Sequence, residues 1–168
     1  MPKIIENLQQ RLAEETRKQI RQSGYGAMTI RSVAKACGVS VGTVYNYFPS
    51  KDELLAACML EDWHRCIGAI MQSASQSEGP EAVLRCLYEQ LCGFIGSYEA
   101  VFRDVSAADA YARYFSQYHS TLRTQLAAPL RKFCESDFSA DFLAEAMLTW
   151  TMERKAFDEM YSVIHKLF

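Results

Sequence analysis

The sequence predicts an all-α protein in which an N-terminal three-helix helix-turn-helix module is followed by a larger helical domain. Three observations carry this. Apolar residues recur at helical spacing along nearly the whole chain, as in Ile4, Leu8, Leu12 and Ile20, then Leu54, Leu55, Cys58, Cys66, Ile67 and Ile70, then Val83, Leu84, Leu87, Leu91, Phe94 and Ile95. No segment alternates with the period of two that a half-buried strand needs. Turn-forming residues interrupt the pattern where short turns would fall, at Gly24, Gly26, Gly38, the Ser-Gln-Ser-Glu-Gly-Pro run at 75–80, and Ser136 to Ser139.

The elements follow in order. A first helix runs through Ile20 and ends near Gly24. Thr29 before Ile30 and Ser40 before Val41 are helix starts, because a hydroxyl there can accept from the free backbone N–H groups of the first turn. The two short helices so begun are separated by about four residues centred on Gly38. Ala34 falls where they cross, a small side chain that lets the backbones approach, and Gly38 can take the positive φ that ends the first sharply. Val33, Val39 and Val44 are expected to fill the wedge between them and the preceding helix. Ser50-Lys51-Asp52-Glu53 reads as a capping box opening a long amphipathic helix to about Ser73, and Pro80 suits the first turn of the next. Aromatic-rich helices are expected between Tyr98 and Cys134, with a bend at Pro129. Ser139 to Leu167 is helical as one helix or two. The domain boundary is placed between 50 and 51, giving domains 1–50 and 51–168.

Composition limits the function classes. With 168 residues, 49% of them hydrophobic, the chain can bury a substantial core without metals or disulfides. Apolar runs fall far short of the roughly 18–20 residues of a membrane span. The opening Met-Pro-Lys-Ile-Ile-Glu-Asn does not read as a secretory signal, so a cytoplasmic location without a membrane partner is expected. Six cysteines form no C-x-x-C pair and do not cluster with the three histidines, so no metal site and no cofactor are expected. No nucleophile motif, phosphate loop or carboxylate pair marks an enzyme, and no catalytic residue is assigned. The net charge of -2 conceals an asymmetry. Residues 1–51 hold eight of the 18 basic and three of the 20 acidic residues, a net of +5, which leaves -7 on the remainder. A basic module on an acidic body suits phosphate binding confined to one end.

With Val33, Val39 and Val44 turned inward, the second short helix would present Val41, Gly42, Thr43, Asn46 and Tyr47, small and hydrogen-bonding groups able to face base edges in a major groove. Thr29, Arg31, Tyr45 and Lys51 are of the kinds that hold phosphates and set register. The run TIRSVAKACGVSVGTVYNYFPSKDELL resembles the N-terminal signature of TetR-family transcriptional regulators, with Gly38, Val39, Ser40, Gly42, Thr43, Tyr45, Tyr47, Phe48, Ser50, Lys51 and Leu54 at the family's positions. The resemblance covers about residues 10 to 56; beyond that only the general helical layout is similar. It implies DNA contacts from Thr43, Tyr45 and Lys51, with Thr29, Arg31 and Ser40 beside them, and a specificity-related position at Asn46. Phe48 is read as a core aromatic.

The resemblance also implies an effector cavity in the second domain, whose dense aromatics suit a lipophilic small molecule. Trp63, Tyr88, Phe94, Phe102, Phe115, Tyr118, His119 and Trp150 are the candidate lining residues, each of which could equally be core. The last segment carries more apolar surface than packing on one body requires, so Phe142, Met147, Trp150, Phe157, Met160, Tyr161 and Ile164 are assigned to a homodimer interface. By resemblance that interface is a four-helix bundle placing two groove helices on a palindromic operator. The helix from Lys51 would act as the lever between effector and DNA, with repression as the family default. Two alternatives remain open: a thiol sensor using Cys58, Cys66, Cys86 or Cys92, and a ligand-independent chromosome-organising protein.

Overall fold

The computed structural model describes residues 7–104 and 118–167, and among these every regular element is helical. In order they are α1 (Leu8–Ala27), α2 (Ile30–Cys37), α3 (Val41–Tyr45), α4 (Lys51–Gln76), α5 (Pro80–Phe102), a helix over 118–127 (α6), a 3-10 helix over Ala128–Phe133, α7 (Asp137–Met152) and α8 (Phe157–Ile164), closed by the 3-10 turn His165–Leu167. Contacts divide the chain into two units, Met1–Asp62 with Tyr98–Ala112, and Trp63–Ser97 with Arg113–Phe168.

In the first unit, α1 leaves helical geometry at Gly24, whose φ of +79° only glycine adopts without strain. The turn that follows delivers the chain to Thr29. There the Thr29 hydroxyl accepts from Ser32 N–H at 3.0 Å while Ser32 Oγ accepts from Thr29 N–H at 3.1 Å, so two backbone donors are satisfied reciprocally. Gly38 ends α2 at φ +69°, and Val39 N–H closes the turn onto Ala34 O at 3.0 Å. Val33, Ala34 and Val44 are buried as expected, alongside Leu12, Ile20, Met28 and Phe48, while Val39 is only half-buried.

Polar bonds also cross this interior. Arg17 of α1 reaches α4, where Nη2 donates to Glu61 Oε2 at 2.6 Å and to Cys58 O at 3.1 Å, and Nε donates to Asp62 Oδ2 at 3.1 Å. Tyr98 of α5 donates to the same Asp62 oxygen at 2.5 Å.

The interior of the second unit is almost wholly hydrocarbon. Trp63, Cys66, Ile70 and Ala74 of α4, Val83, Leu84, Leu87 and Leu91 of α5, Leu126 and Leu130, and Ala140, Leu143, Ala144, Met147 and Leu148 of α7 form one buried cluster, completed by Phe157, Met160 and Ile164 of α8. Their spacing of three, four and seven residues puts each set on one helix face. Burying each large aliphatic side chain contributes about 1.5–3 kcal/mol.

The C-terminal segment, left open as one helix or two, is two. Arg154 takes φ +60°, and Lys155 N–H turns back to Trp150 O at 3.0 Å, which terminates α7 before Phe157 opens α8. Pro129 sits in the 3-10 helix rather than at a simple bend.

Candidate nucleic-acid interface

The short helix α3 is fixed at both ends. At its start the Ser40 hydroxyl accepts from Thr43 N–H at 3.0 Å and shares a second hydrogen bond with Thr43 Oγ1 at 2.8 Å, so Thr43 is drawn toward the cap. At its end Phe48 N–H bonds Val44 O at 2.9 Å, and the buried Phe48 ring anchors the exit, as a core aromatic should. Val44 alone among Val41–Tyr45 is fully buried. The opposite side is open: Tyr45 is 50% and Tyr47 41% exposed, large aromatic surface left to solvent. Gly42 and Asn46 are exposed, and Val41 and Thr43 are half-buried. Asn46 caps α3, and Tyr47 lies just beyond it. At the start of α2, Thr29 and Arg31 are also exposed.

Lys51 is placed differently. Instead of extending into solvent, its ammonium donates to Tyr25 O at 2.5 Å and lies 4.0 Å over the Tyr25 ring. Burial lowers its pKa, although Asp104 and Asp52 oppose that. The Tyr25 hydroxyl in turn donates to Asp52, and burial followed by that hydrogen bond raises the phenol above the usual tyrosine range. The Gly24–Ala27 turn is thus stapled to the start of α4. The sequence reading singled out Gly24 and Gly26 but not the tyrosine between them.

Of the residues assigned to an effector cavity, Trp63 belongs to the second unit's buried cluster and Tyr88, Phe94 and Trp150 pack against it. Trp63 and Phe94 meet edge to face at 5.4 Å, with Trp63 Nε1 donating to Gln125 Oε1 at 2.6 Å. Tyr88 packs on Phe157 at 5.6 Å and donates to Lys155 O at 3.1 Å. Phe102 lies against Tyr98 at 6.5 Å in the first unit. Tyr118 is exposed, His119 faces Glu145 at 3.3 Å, and Trp150 is half-buried on the second unit's core. Phe115 lies outside the described residues. A shallow groove of about 310 Å³ beside α1 and α2 is lined by Arg11, Glu14, Glu15, Lys18, Ala36 and Cys37, none of them an assigned cavity residue.

Of the residues assigned to a self-association face, Met147, Phe157, Met160 and Ile164 are spent on the second unit's own core, and Trp150 and Tyr161 are half-buried. Phe142 is 51% exposed, and the most exposed apolar side chain beside it is one the sequence reading passed over, Phe138 at 78%. Burial pushes the Cys58 and Cys66 thiols up to about 12, which leaves little thiolate at neutral pH for a sensing reaction. Cys86 is half-buried and Cys92 exposed. Among the described residues no group of His, Cys, Asp and Glu is arranged to hold a metal, and no helix is long and apolar enough to cross a membrane.

The family model described as "Bacterial regulatory proteins, tetR family" matches residues 12–58, the stretch that contains α2, α3 and their turn. Among curated proteins, the HTH-type transcriptional regulator PksA of Bacillus subtilis is 32% identical over 120 residues, 68% of this chain and 57% of that protein. The HTH-type transcriptional repressor KstR of Rhodococcus jostii is 38% identical over 55 residues, 33% of this chain and 26% of that protein. The matched stretches therefore span only about a quarter to just over half the length of these relatives. A solved structure of a putative transcriptional regulator from Pseudomonas aeruginosa PAO1 aligns with a TM-score of 0.65 at 19% identity, covering 95% of this chain and 87% of that one, a likeness of fold. A capped two-helix turn with an open aromatic face, the family match centred on it and a fold shared along nearly the whole chain lead to one conclusion: the protein belongs to the TetR family of helix-turn-helix transcriptional regulators.

Proposed function

We propose that the chain is a repressor that binds a palindromic DNA operator as a homodimer and is released from it by a small lipophilic effector, residues 1–50 serving as the DNA-binding domain and 51–168 as the effector-binding and dimerisation domain. The observation that carries the reading is the open face at the end of α3, where Tyr45 and the two residues after it, Asn46 and Tyr47, are exposed beside the buried anchors Val44 and Phe48. On a two-fold dimer such helices enter successive major grooves about 34 Å apart. Val41, Gly42, Thr43, Asn46 and Tyr47 face the bases, with Thr29, Arg31, Ser40 and Tyr45 on the flanking phosphates. Lys51 joins them as a phosphate contact while its stem and ammonium hold the Gly24–Ala27 turn. The net charge of +5 on residues 1–51 supports the phosphate contacts, and the exposed Phe138 and Phe142 support pairing with a second copy. The repressor name of the Rhodococcus relative supports the direction of regulation. An effector acts by preferring a conformation in which the two groove helices no longer match the operator.

The test is selection of a duplex from genomic fragments with purified protein, followed by fluorescence anisotropy. Wild type is expected to bind with an affinity that falls steeply with salt, and Tyr45→Ala with Tyr47→Ala to weaken it at least about tenfold at an unchanged melting temperature. Absence of any salt-dependent duplex binding, or equal affinity in the double variant, overturns the reading.

A further inference from the structure

Arg17, Asp62 and Tyr98 lie far apart in the sequence, on α1, α4 and α5, and meet at one carboxylate. Asp62 Oδ2 accepts both from the Tyr98 hydroxyl at 2.5 Å and from Arg17 Nε at 3.1 Å, while Asp62 Oδ1 lies 3.0 Å from Arg17 Nη2. The Arg17 and Asp62 side chains are 10% and 17% exposed, and Tyr98 is fully buried. Past the end of α5 the chain also runs close to the end of α1, where a Cβ placed on Gly26 would come within 3.1 Å of Asp104 Oδ2. Asp104 also bears electrostatically on Lys51 and Tyr25, the pair that staples the turn before α2.

Hydrocarbon contacts would hold α5 against α1 without specifying one register, since apolar faces slide at little cost. A shared carboxylate does not slide: moving Tyr98 by a fraction of a helical turn strands its hydroxyl and leaves the Arg17–Asp62 pair short of a donor in a poorly solvated place. We infer that Arg17, Asp62 and Tyr98 are positioning residues that, through Asp62 of α4, make the last turns of α5 and helix α1 move as one, so that the state of α5 is passed to the DNA-binding helices. This deepens the operator-binding reading and rests on it. It adds α5 to the lever of α4, on which Asp62 itself sits. The residues touch neither DNA nor the open face of α3, and their role is to keep two helices in register.

Hydrogen exchange on the full-length protein tests this, with a duplex selected by the wild-type protein as probe. In wild type, duplex binding is expected to slow exchange in α2 and α3 and also in residues 98–104, which lie off the proposed interface. In Tyr98→Phe, which removes one oxygen and keeps the ring, duplex affinity should stay within about threefold and α2–α3 protection should persist, while the protection of 98–104 falls to less than about half. Equal protection of 98–104 in wild type and variant overturns the inference, as does its absence in wild type. A DNA-free arm separates this from failure of the operator reading. Asp62→Asn should speed exchange in α1 and in 98–104 together, by about tenfold, and leave α7 and α8 unchanged. If α1 loosens without 98–104, the coupling is wrong even where the protein binds DNA. If the two loosen together in a protein that binds no duplex, the coupling stands and the operator reading falls.

Discussion

The two units of this chain hold their helices by different means. The first crosses its interior with directed bonds: Arg17 to Asp62, Tyr98 to Asp62, Tyr25 to Asp52, Lys51 to Tyr25 O, and Arg11 Nη2 to Cys37 O at 3.0 Å. The second fills its interior with leucines, alanines and methionine packed by volume, and its directed bonds, such as Trp63 to Gln125, Tyr88 to Lys155 O and Lys132 to Ser77 O, lie around that cluster. Directed bonds fix angles; apolar packing fixes only distance and bulk, and many combinations of side chains supply it. A region that must present a short helix at one angle needs the first kind of interior. A region whose shape can vary from one relative to another tolerates the second. This accords with the family match covering residues 12–58 and not the helices beyond.

The comparison breaks most sharply where a charge is removed. Arg17→Ala removes a guanidinium that bonds Asp62, Glu61 and Cys58 O at once, and is expected to destabilise the protein by about 3 kcal/mol, the low end of the cost of breaking a buried pair. In the second unit a volume-conserving change at a fully buried site, Leu87→Met, should cost less than about 1.5 kcal/mol. Urea titrations of the two variants measure both. Equal losses would show that the first unit's polar bonds add nothing that packing does not.

A smaller effect sharpens the same comparison at the turn. Gly38 has nothing within 4 Å of where a Cβ would lie, so Gly38→Ala meets no clash, and only the positive φ of +69° opposes it. The expected cost is about 1–2 kcal/mol, read as a lower thermal midpoint. A variant as stable as wild type would mean the turn relaxes, and α3 would then be free to change its angle.

How much was legible follows from the same distinction. The starts of α2, α3 and α4 were readable because Thr29, Ser40 and Ser50 supply the capping hydroxyls that backbone donors require, and all three do so, Ser50 Oγ accepting from Glu53 N–H at 3.0 Å. Gly38 was readable because one residue type dominates that backbone conformation. The exposed Tyr45 and Tyr47 followed from the spacing around buried Val44. Lys51 was read as a phosphate contact because its identity reports charge and not direction, and only the fold brings Tyr25 beneath it. The Arg17–Asp62–Tyr98 cluster was invisible for a related reason, since its members are separated by 45 and 36 residues and none is unusual in a helix. The break between α7 and α8 carries neither glycine nor proline, only the polar run Glu153-Arg154-Lys155, and so stayed open. In α7 the apolar pattern is nearly continuous, so it did not say which side chains turn inward: Met147 went to the core, and Phe138 and Phe142 to the surface.

The smallest effect on stability is expected at Phe138, and it tests what the second unit's outer face is for. This ring is 78% exposed in the first turn of α7, where Arg131 pairs with the neighbouring Asp137 at 3.2 Å, whereas Leu143, five residues on, is buried in the core. Phe138→Ser removes almost no buried surface and should change the unfolding free energy by no more than about 0.5 kcal/mol, while Leu143→Ala should cost about 2–5 kcal/mol. Sedimentation equilibrium of Phe138→Ser then isolates association from folding. With Phe138 on the pairing face, the variant should keep its melting temperature measured at a concentration where wild type is monomeric, yet require a higher concentration to dimerise. If its dimer proves as tight as the wild type's, pairing does not use this end of α7, and Phe142 and Tyr118 become the next surfaces to probe. If instead its monomer melts early, the ring is covered by its own chain and the outer face is not the open apolar surface that the packing of α7 leaves it.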